Sequence, residues 1–312
     1  MPRQTFVFLA AGLSLLLGAG GAPASAAFTY TTIDHPLAGP GGTIPNDVED
    51  NVIAGTYLDA ANVSHGFIYD GTTWTTLDAP AAAAPRGTEG YGYSNGIVVG
   101  SFVAATGQTF GYLYDGTSWT TLEHPSIGTG PVDTFPRGTW NGTVVGFAIE
   151  SLVGRGFVYR DGNFTDVLIP GSLGTFPRDI YGSRIAGNFD DATGSHGFVL
   201  DGATLQVIDD PLGPSLGTFV KGVDGVNLVG NYLSLIDGQS HGFLFDGANF
   251  IAIDVPGATD TAATGIHGTR IIGMYVDAAG ATHGFVTTVP DPAGATAFLL
   301  AIGPVICRRR RR

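Results

Sequence analysis

The chain has 312 residues and one cysteine, Cys307, close to its C-terminus. No disulfide can form within it, so stability must come from packing and backbone ladders rather than from covalent staples. Charge is also scarce, at 13% of residues, and cations are the scarcer sign. With Arg3 and the five terminal arginines set aside, residues 28–290 carry 8 basic against 26 acidic residues, a net charge near −18. A surface of that sign excludes nucleic acid and anionic membrane as partners of this region. Helical periodicity is weak, which argues against a bundle or a coiled coil. No catalytic motif is present, and nothing in the chain calls for a cofactor or a metal. Long apolar runs occur only at the two ends.

What fills the chain is glycine, 49 residues of it, and a repeat. The stretch His65 to Pro80 returns almost word for word as Phe110 to Pro125, and in more worn form at 155–170, 196–211 and 241–256. Each copy sets two short runs of aromatic, β-branched and Thr residues about an Asp-Gly pair, at 70–71, 115–116, 161–162, 201–202 and 246–247. Strand composition around a dipeptide that tolerates positive φ predicts a hairpin with its tight turn at that pair. In the second strand Trp74 and Leu77 are odd-spaced and should face opposite ways, one toward each neighbouring sheet.

Three further marks recur six times. A Thr opens each unit: Thr43, Thr88, Thr134, Thr175, Thr218 and Thr261. Twelve residues later comes Gly55, Gly100, Gly146, Gly187, Gly230 or Gly273, and ten to twelve beyond that a Gly-aromatic pair from Gly66-Phe67 to Gly284-Phe285. Repeats of about 45 residues with this strand pattern predict an all-β, six-bladed β-propeller, one four-stranded sheet per unit. The sixth unit runs out one strand short. The missing strand stands at the other end, where Tyr30-Thr-Thr-Ile33-Asp34 matches Trp74-Thr-Thr-Leu77-Asp78. Residues 28–36 are therefore expected to complete the last blade and close the ring, leaving no long open edge.

The ends read as export signals. Residues 1–26 have a positive start, an apolar core from Phe6 to Leu17 and Ala24-Ser25-Ala26, the pattern of a cleaved signal peptide. At the C-terminus Val289-Pro290-Asp291-Pro292 precedes an apolar segment to Cys307 and five arginines. Fifteen residues of helix reach only about 22 Å, short of a bilayer's ~30 Å, and the arginines would hold their end in the cytoplasm. The alternative is a plain short tail anchor. This order of elements resembles the PEP-CTERM sorting signal, with Asp291 in place of the family's usual Glu and Pro304 inside the apolar segment. The resemblance implies recognition by an exosortase-type membrane protease, and transient inner-membrane anchoring in a Gram-negative bacterium that makes extracellular polysaccharide. Between the ends, His-Gly-Phe-x-Tyr-Asp-Gly followed by Ile-Val-Gly-x-Tyr resembles the HAF family of extracellular repeats over residues 28–288. That implies an exported bacterial surface or matrix protein and carries over no catalytic residue.

Candidate chemistry is thin. The third residue after each opening Thr is Asn46, Tyr91, Arg137, Arg178, Lys221 and Thr264. Placed just before the innermost strand of each blade, these six should ring one mouth of the central channel. Three of the eight cations fall there on consecutive units, and a carboxylate or sulfate on a sugar would suit them. The plainer alternative is that they pair with nearby carboxylates such as Asp133 and Asp179. His65, His196, His241 and His283 share one repeat position but lie on separate blades, so they read as strand-start residues rather than metal ligands. Asp59, Asp190, Asp191 and Asp277 read as turn residues, too few per loop for calcium. The nearest enzymatic reading is a sialidase-like hydrolase, since Asp70-Gly-Thr-Thr-Trp74 is one residue short of that family's Asp-box. Its only suggestive Tyr/Glu neighbours are Tyr91 and Glu89. The expectation is a non-catalytic interaction or scaffold protein of the cell surface or matrix, with extracellular polysaccharide as the partner the cations suit. A glycoside hydrolase and a ligand-free structural protein are the alternatives.

Overall fold

The computed structural model describes residues 28–83, 86–125, 130–212 and 215–289. The expected signal peptide over 1–26 and the expected sorting segment from Pro290, with Asp291, Pro292 and Cys307, lie outside them. Among the described residues every regular element is a β-strand, and no helix is long and apolar enough to cross a membrane. The fold is all-β, as the composition requires.

Among the described residues twenty-four strands fall into antiparallel sets of four. The first set is β2 (Thr43–Glu49), β3 (Val52–Leu58), β4 (Ser64–Tyr69) and β5 (Trp74–Leu77). The second is β6 (Thr88–Ser94), β7 (Ile97–Val103), β8 (Thr109–Tyr114) and β9 (Trp119–Leu122). The third is β10 (Asp133–Trp140), β11 (Thr143–Glu150), β12 (Val153–Arg160) and β13 (Asn163–Val167). The fourth is β14 (Gly174–Tyr181), β15 (Arg184–Asp190), β16 (Ser195–Asp201) and β17 (Thr204–Ile208). The fifth is β18 (Ser215–Asp224), β19 (Asn227–Ser234), β20 (Ser240–Phe245) and β21 (Phe250–Ile253). The last is β22 (Asp260–His267), β23 (Arg270–Val276) and β24 (Thr282–Thr288), with β1 (Thr31–Ile33) as its fourth strand. β1 pairs antiparallel with β24, Thr31 opposite Val286 and Ile33 opposite Gly284. A one-residue parallel bridge, Ser195 to Gly217, joins the fourth and fifth sets. Among the described residues no other ladder joins two sets.

Each repeat mark has a physical cause. The opening threonines are buried, and each accepts a hydrogen bond from the backbone just past the strand that precedes it in sequence. His35 N, Ala79 N, His124 N, Ile169 N, Asp210 N and Val255 N donate to Thr43, Thr88, Thr134, Thr175, Thr218 and Thr261 Oγ1 at 2.8–3.2 Å. A buried N–H that would otherwise go unpaired is satisfied six times by the same device. The other two marks are one interaction seen twice. Gly55, Gly100, Gly146, Gly187, Gly230 and Gly273 are register partners of Phe67, Tyr112, Phe157, Phe198, Phe243 and Phe285. All six aromatic rings are almost fully buried, each contributing about 1.5–3 kcal/mol. At Gly146 a Cβ would run into the Phe135 carbonyl and stand 2.9 Å from Phe157 Cζ.

The expected alternation of faces holds. Trp74 packs with Val48, Ile53 and Tyr57 on one side of its sheet, while Leu77 packs with Val98, Phe102 and Tyr112 on the other. The expected single turn type does not. Only the third hairpin has Asp161 and Gly162 both at positive φ, 50° and 81°, closed directly by Arg160 and Asn163. In the first, second and fifth hairpins the loop is four residues long, and Asp70, Asp115 and Asp246 act as acceptors. Asp70 Oδ1 takes Thr72 N at 2.8 Å and Thr73 N at 2.7 Å, and Asp115 and Asp246 repeat the pattern. The fourth turns on Gly202 and Ala203, between Asp201 and Thr204. A carboxylate that caps two amides is as good a reason for Asp at a turn as tolerance of positive φ.

Candidate functional site

The six residues singled out after each opening Thr lie within β2, β6, β10, β14, β18 and β22, not ahead of them. Each sits at a break in strand register: between Pro45 and Asp47, Gly90 and Gly92, Pro136 and Gly138, Pro177 and Asp179, Val220 and Gly222, and Ala263 and Gly265. A bulge puts one extra residue in the strand and re-aims its side chain. All six bulge residues, Asn46, Tyr91, Arg137, Arg178, Lys221 and Thr264, line a single cavity of about 160 Å³. The six residues grouped by the repeat do share one cavity, but from inside their strands rather than from the loops ahead of them.

Their partners divide them. Asn46 Nδ2 donates to Gly90 O at 2.7 Å, and Thr264 Oγ1 donates to Pro45 O at 2.7 Å. These two stitch neighbouring units, the last to the first and the first to the second, and their donors are spent on structure. Tyr91 Oη donates to Glu89 Oε2 at 2.6 Å, and its phenol is pushed up to about 12, mainly by burial. The Arg137 guanidinium lies 3.6 Å above the Tyr91 ring, a cation–π contact that pins it, and its Nε is buried without an acceptor. Arg178 Nε reaches Asn188 Oδ1 at 3.2 Å. Burial, with Arg137 nearby, pulls Arg178 down to about 9, although Asp190 acts against the shift. Lys221, the chain's single lysine, is pulled down to about 8 by burial and by Arg178 and Arg137.

The carboxylates expected to neutralise these cations are otherwise engaged. Asp133 Oδ1 accepts Thr109 N at 2.6 Å. Asp179 accepts Ile180 N at 2.7 Å and, from the next unit, Val223 N at 2.8 Å. Asp47 does the same with Val48 N and Tyr93 N, each at 2.7 Å. Burial raises Asp47 and Asp179 above the usual carboxylate range. One residue beyond the bulges, they border a second, smaller hollow of about 20 Å³ with Glu49, Trp140 and Tyr181. Among the described residues no ion pair joins Arg137, Arg178 or Lys221 to a carboxylate; the arginine that does make one is Arg155, 3.0 Å from Asp166.

The repeated histidines are more than strand-start residues. Each is clamped between two aspartates: His65 by Asp59 and Asp78, His196 by Asp191 and Asp209, His241 by Asp237 and Asp254, His283 by Asp277 and Asp34. Tyr57, Phe189, Tyr232 and Tyr275 stack on the four rings at 4.9–5.3 Å. In the third unit Arg155 and Asp166 replace the pair, and in the second Phe110 stacks on Phe102 instead. The signal was in the sequence as an Asp thirteen residues after His65, His196 and His241. Among the described residues no group of three or more His, Cys, Asp or Glu side chains is placed so that it could hold a metal ion. Of the C-terminal motif, Val289 belongs to the fold: its amide donates to Thr269 O at 2.7 Å and its side chain packs beside Phe285.

No protein-family model and no curated protein matches the sequence. Solved structures do. The β-propeller domain of the trilobed protease from Pyrococcus furiosus, described as having an open velcro topology, matches at 12% identity over 78% of this chain and 94% of that one, with a TM-score of 0.49. The six-bladed lectin of Aleuria aurantia matches at 10% identity over 77% and 89%, with a TM-score of 0.46. Trypanosoma rangeli sialidase matches at 9% identity over 82% of this chain but 55% of that one, with a TM-score of 0.47.

Proposed function

We propose that the chain is a six-bladed β-propeller closed into a ring by residues 28–36, exported to the surface or extracellular matrix of a Gram-negative bacterium, where it holds an anionic polysaccharide without cleaving it. The pairing of β1 with β24 and the stitch from Thr264 to Pro45 support closure. Export, sorting by an exosortase-type protease and a transient inner-membrane anchor rest on the two end signals in the sequence. The observation that carries the ligand class is the cavity itself: Arg137, Arg178 and Lys221 converge there in an otherwise acidic molecule, and the nearby carboxylates hold backbone amides instead. Clustered cations held apart from counter-charge are destabilised until an anion enters.

A second reading has one observation in its favour. Tyr91 and Glu89 are hydrogen bonded at 2.6 Å beside Arg137, an arrangement a Tyr-based glycoside hydrolase could use. Two features oppose it. The phenol is raised rather than lowered, the wrong direction for a nucleophile. The buried acids that could protonate a leaving group, Asp47 and Asp179, are committed to backbone amides.

The test is incubation of the protein with the host's extracellular polysaccharide at low and high salt, with retained protein and released sugar both measured. Salt-sensitive retention without release, lost in the Arg137→Ala/Arg178→Ala/Lys221→Ala triple variant, is the expected result. Released oligosaccharide would establish the hydrolase. No retention and no release would leave a structural matrix protein.

A further inference from the structure

The six bulge residues do not form an even ring. Asn46 and Thr264 spend their donors on neighbouring backbone carbonyls. Tyr91 is occupied by Glu89 and covered by Arg137. Arg137 and Arg178 both lie against the Phe147 ring, at 5.1 and 5.2 Å from its centroid, so one aromatic side chain sets their spacing. The two hollows differ in the charge of their linings. The bulge residues border the larger cavity. One residue further along the same strands stand the carboxylates of Asp47 and Asp179, then Glu49, around the smaller hollow. An anion approaching from that hollow would meet three carboxylates and packed aromatic side chains before any cation.

We infer that the channel is a one-ended cup which takes a single compact oxyanion, the carboxylate or sulfate of one sugar residue, between Lys221 and Arg178, and that it does not thread a polysaccharide chain. This rests on the anion-binding reading above and narrows it. A volume of about 160 Å³ is well below the several hundred Å³ of pockets that enclose larger ligands, so it admits one anionic substituent. Arg178 offers the free end of a planar guanidinium whose Nε is anchored on Asn188, suited to two-point contact with an oxyanion. Lys221, from the next unit, adds a point charge to the same cavity. Arg137, fixed on Tyr91, forms the wall behind them.

Binding in this geometry has a proton signature. The charged groups around Lys221 are Arg178 from β14, Arg137 from β10 and the Glu89-bound Tyr91 from β6, with Asn46 and Thr264 neutral on the other side. Burial first, and then Arg178 and Arg137, hold the Lys221 amine down near 8. An anion seated beside it favours the ammonium form, so binding at pH 8 to 9 draws a proton from solution.

The experiment is calorimetric titration of the full protein at pH 8.5, in two buffers of different ionisation heat, with sodium sulfate, glucuronate and a polyuronate chain as probes. The expected result is glucuronate or sulfate binding at one per chain with net proton uptake, and at least tenfold weakening in Arg178→Ala. Lys221→Met, which removes the titrating amine and its charge, should weaken binding and lower the proton uptake. If Arg178→Ala fails to fold, Arg178→Lys and the uptake measurement keep the comparison. Tight binding of the polyuronate with no binding of either small anion would overturn the cup while leaving the anion-binding reading intact. Binding of the small anions that is indifferent to both substitutions would also overturn it. No binding of any probe would remove both.

Discussion

The imidazole of His283 on β24 lies 2.8 Å from the Asp34 carboxylate, contributed from a point 249 residues earlier in the chain. The same Asp accepts the Gly284 amide, so one side chain fastens the strand that the sequence places at the opposite terminus. Asp78, Asp209 and Asp254 hold His65, His196 and His241 through the same ring nitrogen within single units. The last sheet is thus built like the others, from two distant pieces.

Removing residues 28–36 should therefore leave β24 as an open edge and uncover Phe285, against which Tyr30 packs edge-on at 5.5 Å. The expected outcome is a fall in Tm of many degrees and a tendency to associate through the bared edge, read by calorimetry and light scattering. Asp34→Asn keeps the strand and should cost only about 0.2–1 kcal/mol, as a solvent-exposed pair does. An unchanged Tm on deletion would sink the claim that this strand completes the fold.

The clamps also make stability depend on pH. Burial pushes His196 and His241 down, but their flanking aspartates outweigh it and raise both; hydrogen bonding to Asp34 raises His283. A raised folded value means that the stabilisation is complete below the unfolded value near 6.5 and is lost as pH climbs through the folded values. On the acid side Asp191, Asp237 and Asp277 are held low, first by hydrogen bonds to their own loops and then by the histidines. Their contribution is present above about pH 4 and disappears as pH falls further. Tm should peak in mildly acidic buffer and decline above about pH 6.5. The triple substitution of His196, His241 and His283 by Gln should flatten the upper limb, and a Tm profile as steep as the parent's would refute the assignment.

Glycine substitutions should separate repeat marks from filler. Gly146→Ala forces a Cβ against the Phe135 carbonyl and the buried Phe157 ring. It should lose about 1–3 kcal/mol or more, measured by denaturant unfolding. Gly130→Ala meets nothing within 4 Å and has no positive φ, so it should change stability by less than about 0.5 kcal/mol. Equal effects at the two sites would mean that the Gly–aromatic pairing is incidental.

The amino-acid sequence determined the architecture of this protein because the repeat marks answer local demands made six times over. A Thr must satisfy one amide, a Gly must leave room for one ring, and that ring must be buried; the missing strand of the last unit could be found by matching Tyr30-Thr-Thr-Ile33 to Trp74-Thr-Thr-Leu77. The site was legible only as a list of residues. That Arg137, Arg178 and Lys221 share a cavity followed from the repeat, but their position inside the strands depends on bulges that no residue type announces. What each polar group binds was decided by tertiary structure alone. Asp179 looked like a partner for the cations and holds an amide 44 residues away, Val223 N, because packing of the fifth unit against the fourth brings that amide within 2.8 Å. Asn46 looked like a ligand donor and is consumed by Gly90 O for the same reason. Local sequence specifies backbone geometry, whereas hydrogen-bond partners are assigned by whichever surface packs alongside, and that is set only once the units have assembled.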